Sequence, residues 1–373
     1  MNNTLTKVTT IEAVCFIIVT TVDRIILNLP QSILQICGSS SLLNIIYITA
    51  IAVIFTFILI ALFKKFLSYD IVDVSEFLGG KTLKTIIGVC IIIYLLVFSS
   101  LLMRNFTEVI HSLYYSQSTI LYLLGFFVVT TIISNFIGEN SVFKINVVVM
   151  IIMFFSLLIT FISVSPNIVW QRIYPILGNG AKQTFFSGLS NICTFNGLIG
   201  LYFILPILSE KKDYKKVSFI SVAIISLLLL LSTACLLLSL SFSTSVKDIS
   251  SIYTLISNNE FGNFLQHPES LFVFSWILSI MSYLDLIVLF VVRFSKKLTN
   301  IKNSKILIIP VCLIMFIIAL IPQNIVQTRN LENFIYNYIT IPIIFFIFPV
   351  ILILGNIKAK RKQVSNAKLL TSN

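Results

Sequence analysis

Residues 174–206 of the chain read YPILGNGAKQTFFSGLSNICTFNGLIGLYFILP. The second half of this stretch is apolar and long enough to cross a lipid bilayer, which takes about 20 apolar residues. Its middle nevertheless carries hydroxyl, thiol, amide and glycine residues, namely Ser190, Asn191, Cys193, Thr194, Asn196 and Gly197. Such a cluster at mid-membrane depth is typical of a broken helix, because freed backbone groups are tolerated there only inside protein or along a cavity. We therefore predict a binding site here.

The composition predicts a helical membrane protein with many spans. Of the 373 residues, 57% are hydrophobic and 11% are charged, and the mean hydropathy is +1.02. The net charge of +12 comes from Lys and Arg in short clusters between apolar segments, an arrangement typical of membrane topology rather than of nucleic-acid binding. We expect one integral membrane domain over residues 1–373, in contact with the lipid bilayer and without a nucleic-acid partner.

Apolar segments predict ten transmembrane helices. They cover residues 11–29, 42–63, 83–103, 119–136, 142–163, 184–208, 217–240, 269–292, 305–322 and 334–356. With a cytoplasmic N-terminus, the inner segments hold 20 Lys and Arg and the outer loops hold 5, while Arg24 lies within the first span. Because positive residues concentrate on the cytoplasmic side, both termini are predicted to be cytoplasmic, with residues 357–373 as a basic tail.

The first span is a second candidate for a broken helix. Polar and charged residues interrupt it before Pro30, namely Thr20, Thr21, Asp23, Arg24 and Asn28. Broken helices at positions one and six of ten are typical of inverted-repeat transporters, whose site lies at the repeat interface. The expected fold is therefore all-α, with five-helix repeats over approximately residues 10–163 and 184–356.

The predicted ligand site combines both breaks with two mid-span tyrosines. Its residues are Thr20, Thr21, Asp23, Asn191, Thr194, Asn196, Gly197, Tyr94 and Tyr283. An amino acid would fit, because helix N-termini can meet a carboxylate while Asn191, Asn196 or freed carbonyls receive an ammonium group. The alternative is ordinary polar packing between membrane helices, which uses the same residue types.

Asp23 and Arg24 in the first span need partners, because each costs about 2.5 to 3.5 kcal/mol at the bilayer centre, and Asp285 in the eighth span raises the same question. Asp285 can be the counter-ion of Arg24, forming a latch between the two halves of the fold, or an independent proton or cation site. Arg104 and Glu108, four residues apart, predict an exposed ion pair at the outer end of span three that contributes little.

Enzymatic and metal chemistry have little support in the sequence. The six cysteines form no CxxC pair, and most of them lie inside apolar segments, where they are expected to act as small hydrophobic residues. We expect no catalytic residues, no bound metal and no cofactor.

Several stretches together resemble the spore germination permease family, the B-subunits of nutrient germinant receptors. That family belongs to the amino acid-polyamine-organocation transporter superfamily. The matching residues are Leu27, Leu29, Pro30, Glu76, Gly79, Gly80, Lys81, Arg104, Pro175, Gly180, Gly188, Pro206, Pro268, Glu269 and Trp276. Two positions depart from the family pattern: Asp23 stands where a glycine is common, and Asn196, Gly197 and Leu198 stand where many members carry a glutamate near the break.

The resemblance implies a LeuT-like fold and a role in spore germination. It implies a sensor of a small nutrient, such as an amino acid, in the spore inner membrane, acting with a receptor A-subunit and a lipoprotein C-subunit. Two other functions stay open on the sequence alone. One is a proton- or sodium-coupled secondary transporter for an amino acid or amine, and the other is a channel or structural subunit whose site is unused.

Overall fold

The computed structural model describes residues 7–115, 117–240, 251–257 and 268–371. In this part the chain is helical apart from turns and a parallel bridge between Val8 and Leu208. The α-helices are α1 (Thr10–Leu27), α2 (Leu29–Cys37), α3 (Ser41–Phe63), α4 (Ile71–Leu113), α5 (Ile120–Ile137), α6 (Glu139–Val164), α7 (Ala181–Phe185), α8 (Leu201–Ile204), α9 (Tyr214–Ser239), α10 (Ser251–Ser257), α11 (Pro268–Thr299), α12 (Ile308–Ala319), α13 (Ile325–Ile335) and α14 (Phe348–Thr371). A 3-10 segment, Ser187–Gly200, joins α7 to α8, and π-helical turns at Tyr336–Thr340 and Ile343–Ile347 join α13 to α14.

Eight helices in the described residues are long and apolar enough to cross a membrane. They are Leu29–Phe63, Ile71–Leu113, Ile120–Ile137, Glu139–Asn167, Ala181–Ile207, Lys211–Ser239, Glu269–Thr299 and Ile325–Arg361. The other two predicted spans are also helical. The first is α1, which carries Glu12, Asp23 and Arg24 in 18 residues, and the ninth is the shorter apolar helix Ser304–Ala319. Length and composition thus confirm eight of the ten predicted spans.

Helix one breaks later than its polar residues indicate. The segment from Thr20 to Arg24 is regular α-helix, so Asn28 is the one of the predicted interrupting residues that lies at the break. The backbone leaves helical geometry at Asn28, which has φ −156° and ψ −7°, and α2 then begins with Pro30 in its first turn. Pro30 contributes to the break, because it has no N–H group to bond the carbonyl of Ile26 four residues earlier.

Helix six, defined here as Ala181–Ile207, is irregular where the sequence predicts a break. Its middle is the 14-residue 3-10 segment Ser187–Gly200, in which Phe195 has φ −87° and ψ 28°. Runs of 3-10 helix longer than three or four residues are uncommon, and they often mark a functional hinge. The segment is also deeply buried from Asn191 to Gly200.

The helix α1 lies in the centre of the molecule. It contacts α6, α9, α11 and the 3-10 segment of helix six. Nearly every side chain from Ala13 to Leu27 is buried, including those of Asp23 and Arg24. The charged side chains of Asp23 and Arg24 are therefore surrounded by protein.

The N-terminal arm of α4 is tied to two other helices. Gly79 and Gly80 kink α4, and Gly80 has a φ of 68°, which glycine adopts without steric cost. At the start of the arm, Lys297 Nζ of α11 lies 2.6 Å from Asp70 Oδ2 and 2.5 Å from Asp73 Oδ1. At its end, Lys358 Nζ of α14 donates to the carbonyls of Phe77 and Leu78, both at 2.9 Å. A cation at a helix C-terminus is electrostatically favourable.

Candidate functional site

Helix one and helix six touch directly through four of the predicted site residues. Thr21 Oγ1 donates to Asn196 Oδ1 at 3.3 Å, and Asn196 Nδ2 donates to the Thr20 carbonyl at 3.3 Å. A Cβ atom on Gly197 would lie 2.4 Å from Thr21 Oγ1 and 2.5 Å from the Ile17 carbonyl oxygen. Only glycine allows the two helices to approach so closely, so the structure brings these residues together in a packed contact.

Arg24 lies beside this contact and pairs with the last membrane-crossing segment. Its Nε lies 3.1 Å from Glu332 Oε1, with side-chain exposures of 2% and 0%. Its guanidinium carbon stands 3.3 Å from the centre of the Tyr336 ring, a short cation–π contact. On the other side, Asn105 Nδ2 donates to Glu332 Oε2 at 2.7 Å. The counter-ion of Arg24 is therefore Glu332, and the expectation that Asp285 takes this part is wrong.

Asp285 faces α5 rather than the predicted partner Arg24. Its carboxylate faces the hydroxyls of Thr131 and Ser134 on α5. Its backbone carbonyl accepts a hydrogen bond of 3.2 Å from Asn135 Nδ2 of the same helix. These contacts direct Asp285 toward α5, so it cannot form the predicted latch with Arg24.

The two predicted tyrosines gather around Arg24 and Asp23. The Tyr94 hydroxyl lies 3.1 Å from Thr340 Oγ1, and its ring stacks on Phe98 with the ring centres 5.8 Å apart. Tyr283, only 1% exposed on α11, interacts electrostatically with Asp23, Glu332, Tyr94 and Tyr336. We call the set Asp23, Arg24, Tyr94, Ser279, Tyr283, Glu332 and Tyr336 the central polar cluster.

Asp23 and Ser279 face each other across α1 and α11. Asp23 is 1% exposed. The Ser279 hydroxyl faces this carboxylate and is fully buried, and neither group has another hydrogen-bond partner in the described residues. Buried polar groups are hydrogen-bonded in nearly all proteins, so these two groups are each other's partners.

Asn191 supports the irregular backbone of helix six instead of facing the central polar cluster. Its Nδ2 donates to Asn44 Oδ1 at 2.8 Å. Asn44 Nδ2 in turn donates to the carbonyls of Thr184 and Gly188, at 2.7 and 3.1 Å. These bonds replace α-helical bonds that the 3-10 geometry leaves out. Thr194 is buried, and its hydroxyl has no hydrogen-bond partner among the described residues.

Arg104 and Glu108 form a buried pair, contrary to the exposed pair that their spacing predicts. Arg104 donates to Glu108 Oε1 through Nε at 2.9 Å, and its Nη2 lies 2.7 Å from the same oxygen. The residues are 5% and 7% exposed, and Arg104 Nη1 also reaches the Ala319 carbonyl at the end of α12 at 3.4 Å. The spacing of four residues predicted that Arg104 pairs with Glu108. It could not show that the C-terminal end of α12 packs against this pair and buries it.

Sequence reasoning missed three polar residues that position the site. Glu332 was missed because the last span was placed at residues 334–356, so that Glu332 fell outside the bilayer, and Tyr336 was missed although it lies within that span. Asn44 was missed because a single amide in the apolar run of α3 carries no pattern of its own. A signal was present for Glu332, since the segment from Asn324 onward begins with a side-chain N-cap and continues as helix into the span.

These features define a multi-pass, transporter-like membrane protein. Helices one and six are broken, eight helices are long and apolar enough to cross a membrane, and an ion pair is buried between the first helix and the last membrane-crossing segment. A solved structure of a Na+-coupled sialic acid symporter, in a substrate-bound outward-open state, has the same LeuT-like fold. The TM-score is 0.66 at 11% sequence identity, and the match covers 93% of this chain and 78% of the symporter chain. At this identity the likeness shows the fold alone.

The chain belongs to the family of spore germination proteins, whose sequence model matches residues 7–328. The predicted resemblance to germination permeases is thereby confirmed. No curated protein matches the chain. Family and fold together identify a germination or transporter-like membrane protein, and they favour a permease-like small-molecule function over an enzymatic one.

Proposed function

We propose that this protein is the nutrient-sensing subunit of a spore germinant receptor and that it binds a small ligand, such as an amino acid, at the central polar cluster. In this proposal it lies in the spore inner membrane with both termini in the cytoplasm, and it acts with an A-subunit and a lipoprotein C-subunit. The membership of the spore germination family supports the biological role. The arrangement around Arg24 supports the place and chemistry of binding.

The observation that carries the proposal is the buried Arg24–Glu332 pair and its unsatisfied surroundings. Arg24 Nη1 and the Tyr336 hydroxyl are buried and lack a hydrogen-bond partner in the described residues. Separating a buried pair is costly when each charge is left alone. A ligand with one carboxylate and one ammonium group can replace both partners at once, which is the chemistry of a free amino acid.

A closed pair of this kind also suits a sensor that must stay inactive without nutrient. A ligand shifts a two-state equilibrium only through its different affinity for the two states. Moving a population from 1:99 to 99:1 takes a preference of about 10⁴-fold. The direct packing of Gly197 against Thr21 and Ile17 adds to the stability of the closed state. Ligand binding would therefore have to separate helix one from helix six and from α13.

The direct test uses spores in which this protein, with its receptor partners, is the only nutrient receptor. The twenty proteinogenic L-amino acids are screened for germination with the wild type, and the active one is then titrated against Glu332→Gln and Arg24→Gln. We expect at least a tenfold higher threshold in both variants at equal protein level. Lys212→Gln, which removes an exposed pair with Glu210, is the matched control and should leave the threshold unchanged. Unchanged thresholds in both cluster variants would contradict the proposal.

A second candidate function is secondary transport of an amino acid or amine. The LeuT-like fold shared with a Na+-coupled sialic acid symporter favours it. Proteoliposomes containing the purified protein would be tested for uptake of the same labelled amino acids under a sodium or a proton gradient. Saturable, gradient-dependent uptake that Glu332→Gln abolishes would favour transport over sensing alone.

A further inference from the structure

A cavity of about 440 Å³ lies at the end of the molecule where α2 and α9 both terminate. Leu34 of α2 forms part of one wall, Leu237 and Leu240 at the end of α9 form part of another, and the segment 172–179 forms the third. No residue of the central polar cluster is among its described lining residues. Small-molecule sites commonly have volumes of about 300 to 1,000 Å³, so the cavity is large enough for a separate ligand.

Hydrogen bonds fix the three walls of this cavity to one another. The backbone N–H of Asn179 donates to the Cys37 carbonyl at 3.2 Å, and Asn179 Nδ2 donates to the Ile36 carbonyl at 3.1 Å. Toward α9, Arg172 Nη1 donates to the Leu238 carbonyl at 2.9 Å. The cavity is therefore preformed, and a preformed site lowers the cost of ordering side chains and loops when a ligand binds.

Arg172 is the one charged side chain among the described residues that line the cavity. It is half-buried, and the bond to the Leu238 carbonyl holds one nitrogen of its guanidinium in place. A guanidinium has five N–H donors, and those that remain can bind a carboxylate through two parallel hydrogen bonds. The cavity therefore contains a positioned anion-binding group that the rest of its described lining does not neutralise.

The remainder of the lining is largely apolar. Leu34, Leu237, Leu240 and Pro175 contribute hydrocarbon surface, and Tyr174 contributes an aromatic ring. A single fixed cation within apolar walls suits a ligand that has one negative charge and an apolar body. A phosphate group would fit less well, because it carries a charge of about −1.5 to −2 at neutral pH and one guanidinium balances only one charge.

We infer that this cavity is a second ligand site, which binds a small monocarboxylate with an apolar body through Arg172. The site goes beyond the proposed function, because it is separate from the central polar cluster. The predicted topology places it on the outer side of the membrane. A ligand there would touch both α9 and α2, and α2 is the part of helix one that follows the break at Asn28.

The test measures equilibrium binding of tritiated 3-phenylpropionate to the purified protein in lipid nanodiscs. Empty nanodiscs give the amount of probe that partitions into lipid, and this amount is subtracted. Unlabelled 3-phenylpropionate and 3-phenylpropionamide, which has nearly the same shape without the charge, are compared as competitors. We expect saturable binding to the protein, with the amide competing at least tenfold more weakly than the acid.

Variants decide whether the probe binds in this cavity. In Arg172→Gln the affinity for 3-phenylpropionate should fall at least tenfold, and in Arg172→Lys it should fall by a smaller factor, because the charge stays and the planar fork is lost. Leu240→Ala should weaken binding at least threefold by removing apolar contact. Lys182→Gln is the matched control, because Lys182 is an exposed cation in α7 that does not line the cavity, and it should keep the wild-type affinity.

The inference can fail independently of the proposed function. Absence of saturable binding, equal competition by acid and amide, or wild-type affinity in Arg172→Gln would each overturn it. Binding that is lost in Arg24→Gln but kept in Arg172→Gln would place the probe in the central polar cluster and contradict the second site. Should Arg172→Gln not fold, Leu240→Ala against Lys182→Gln gives the answer. Normal germination in the Arg24 and Glu332 variants would contradict the sensor proposal alone.

Discussion

Arg24 Nε and Glu332 Oε1 lie 3.1 Å apart and join the first helix of the chain to its last membrane-crossing segment. The pair is held from two further sides, by Tyr336 under the guanidinium and by Asn105 of α4 on the carboxylate. Helices one, three and ten of the predicted order therefore meet at one charge pair. Any movement of α1 relative to α13 must break or carry this pair.

Neutralising one member of the pair should cost more stability than neutralising both. Arg24→Gln or Glu332→Gln leaves a buried charge without its partner, a loss of about 3 to 5 kcal/mol, whereas the double variant leaves none. The check is a double-mutant cycle on the melting temperature of the detergent-solubilised protein and on its level in the membrane. Lys212→Gln, at a position 79% exposed, serves as control. Additive losses would mean that the two residues do not act as a pair.

The contact at Gly197 should tolerate no side chain. In Gly197→Ala the new Cβ would meet Thr21 Oγ1 at 2.4 Å and the Ile17 carbonyl at 2.5 Å, so α1 and helix six must separate. Overpacking of this kind costs about 1 to 3 kcal/mol. Gly125→Ala in α5 is the matched control, because no atom lies within 4 Å of its Cβ position, and it should be neutral or stabilise by about 0.5 to 1 kcal/mol. Melting temperatures distinguish the two variants, and equal values would contradict the close contact.

Asn44 should be as important for helix six as any residue of helix six itself. Asn44→Leu would leave the Thr184 carbonyl, the Gly188 carbonyl and Asn191 Nδ2 without their present partners. Each buried group left unpaired costs about 1 to 3 kcal/mol. Thr49→Val on the same helix removes a single long bond to Ser226 Oγ, at 3.2 Å, and should cost much less. The amount of folded protein recovered from membranes measures both, and a mild effect of Asn44→Leu would show that helix six is held by other contacts.

The predicted topology can be tested with introduced cysteines. Cys37 is 0% exposed and is a poor target for a thiol reagent, whereas Gln117 and Lys212 are exposed between helices. In a Cys90→Ser background, Gln117→Cys should react with an impermeant maleimide only from outside, and Lys212→Cys only from the cytoplasmic side. The reverse pattern would show that the positive-inside argument gave the wrong orientation.

The sequence predicted the fold well because membrane helices have strong one-dimensional signals. Apolar run length gave the spans, and proline with clustered polar residues indicated that helices one and six are irregular. The same rule misplaced the first break, since Thr20 to Arg24 keep their helical hydrogen bonds when neighbouring helices bury them.

The partners of buried charges could not be predicted in the same way. Whether Arg24 pairs with Asp285 or with Glu332 depends on how α11 and α13 are rotated about their axes. The length of a span does not determine that rotation. The predicted last span also began after Glu332, which left this carboxylate outside the bilayer. The sequence therefore indicated a region, in which the structure places Asp23, Arg24, Tyr94 and Tyr283 near one another, but it did not indicate the carboxylate that binds Arg24.

Variants of Tyr336 can distinguish a structural role of the central polar cluster from a role in ligand binding. Its ring lies 3.3 Å from the Arg24 guanidinium carbon, while its buried hydroxyl has no hydrogen-bond partner among the described residues. Tyr336→Leu should cost about 3 to 5 kcal/mol, because it opens a cavity and removes a desolvated cation–π contact. Tyr336→Phe keeps the ring and removes an unsatisfied polar atom, so the melting temperature should stay unchanged or rise slightly.

The nutrient response gives the decisive comparison for Tyr336. If the free hydroxyl binds the ligand, Tyr336→Phe should raise the germination threshold about tenfold, since a lost hydrogen bond to a charged group is worth about 1.5 to 3 kcal/mol. Stability and threshold would then change independently in one variant, which a purely structural role of Tyr336 does not allow. A wild-type threshold in Tyr336→Phe, together with a lowered melting temperature in Tyr336→Leu, would confine this residue to holding Arg24 against Glu332.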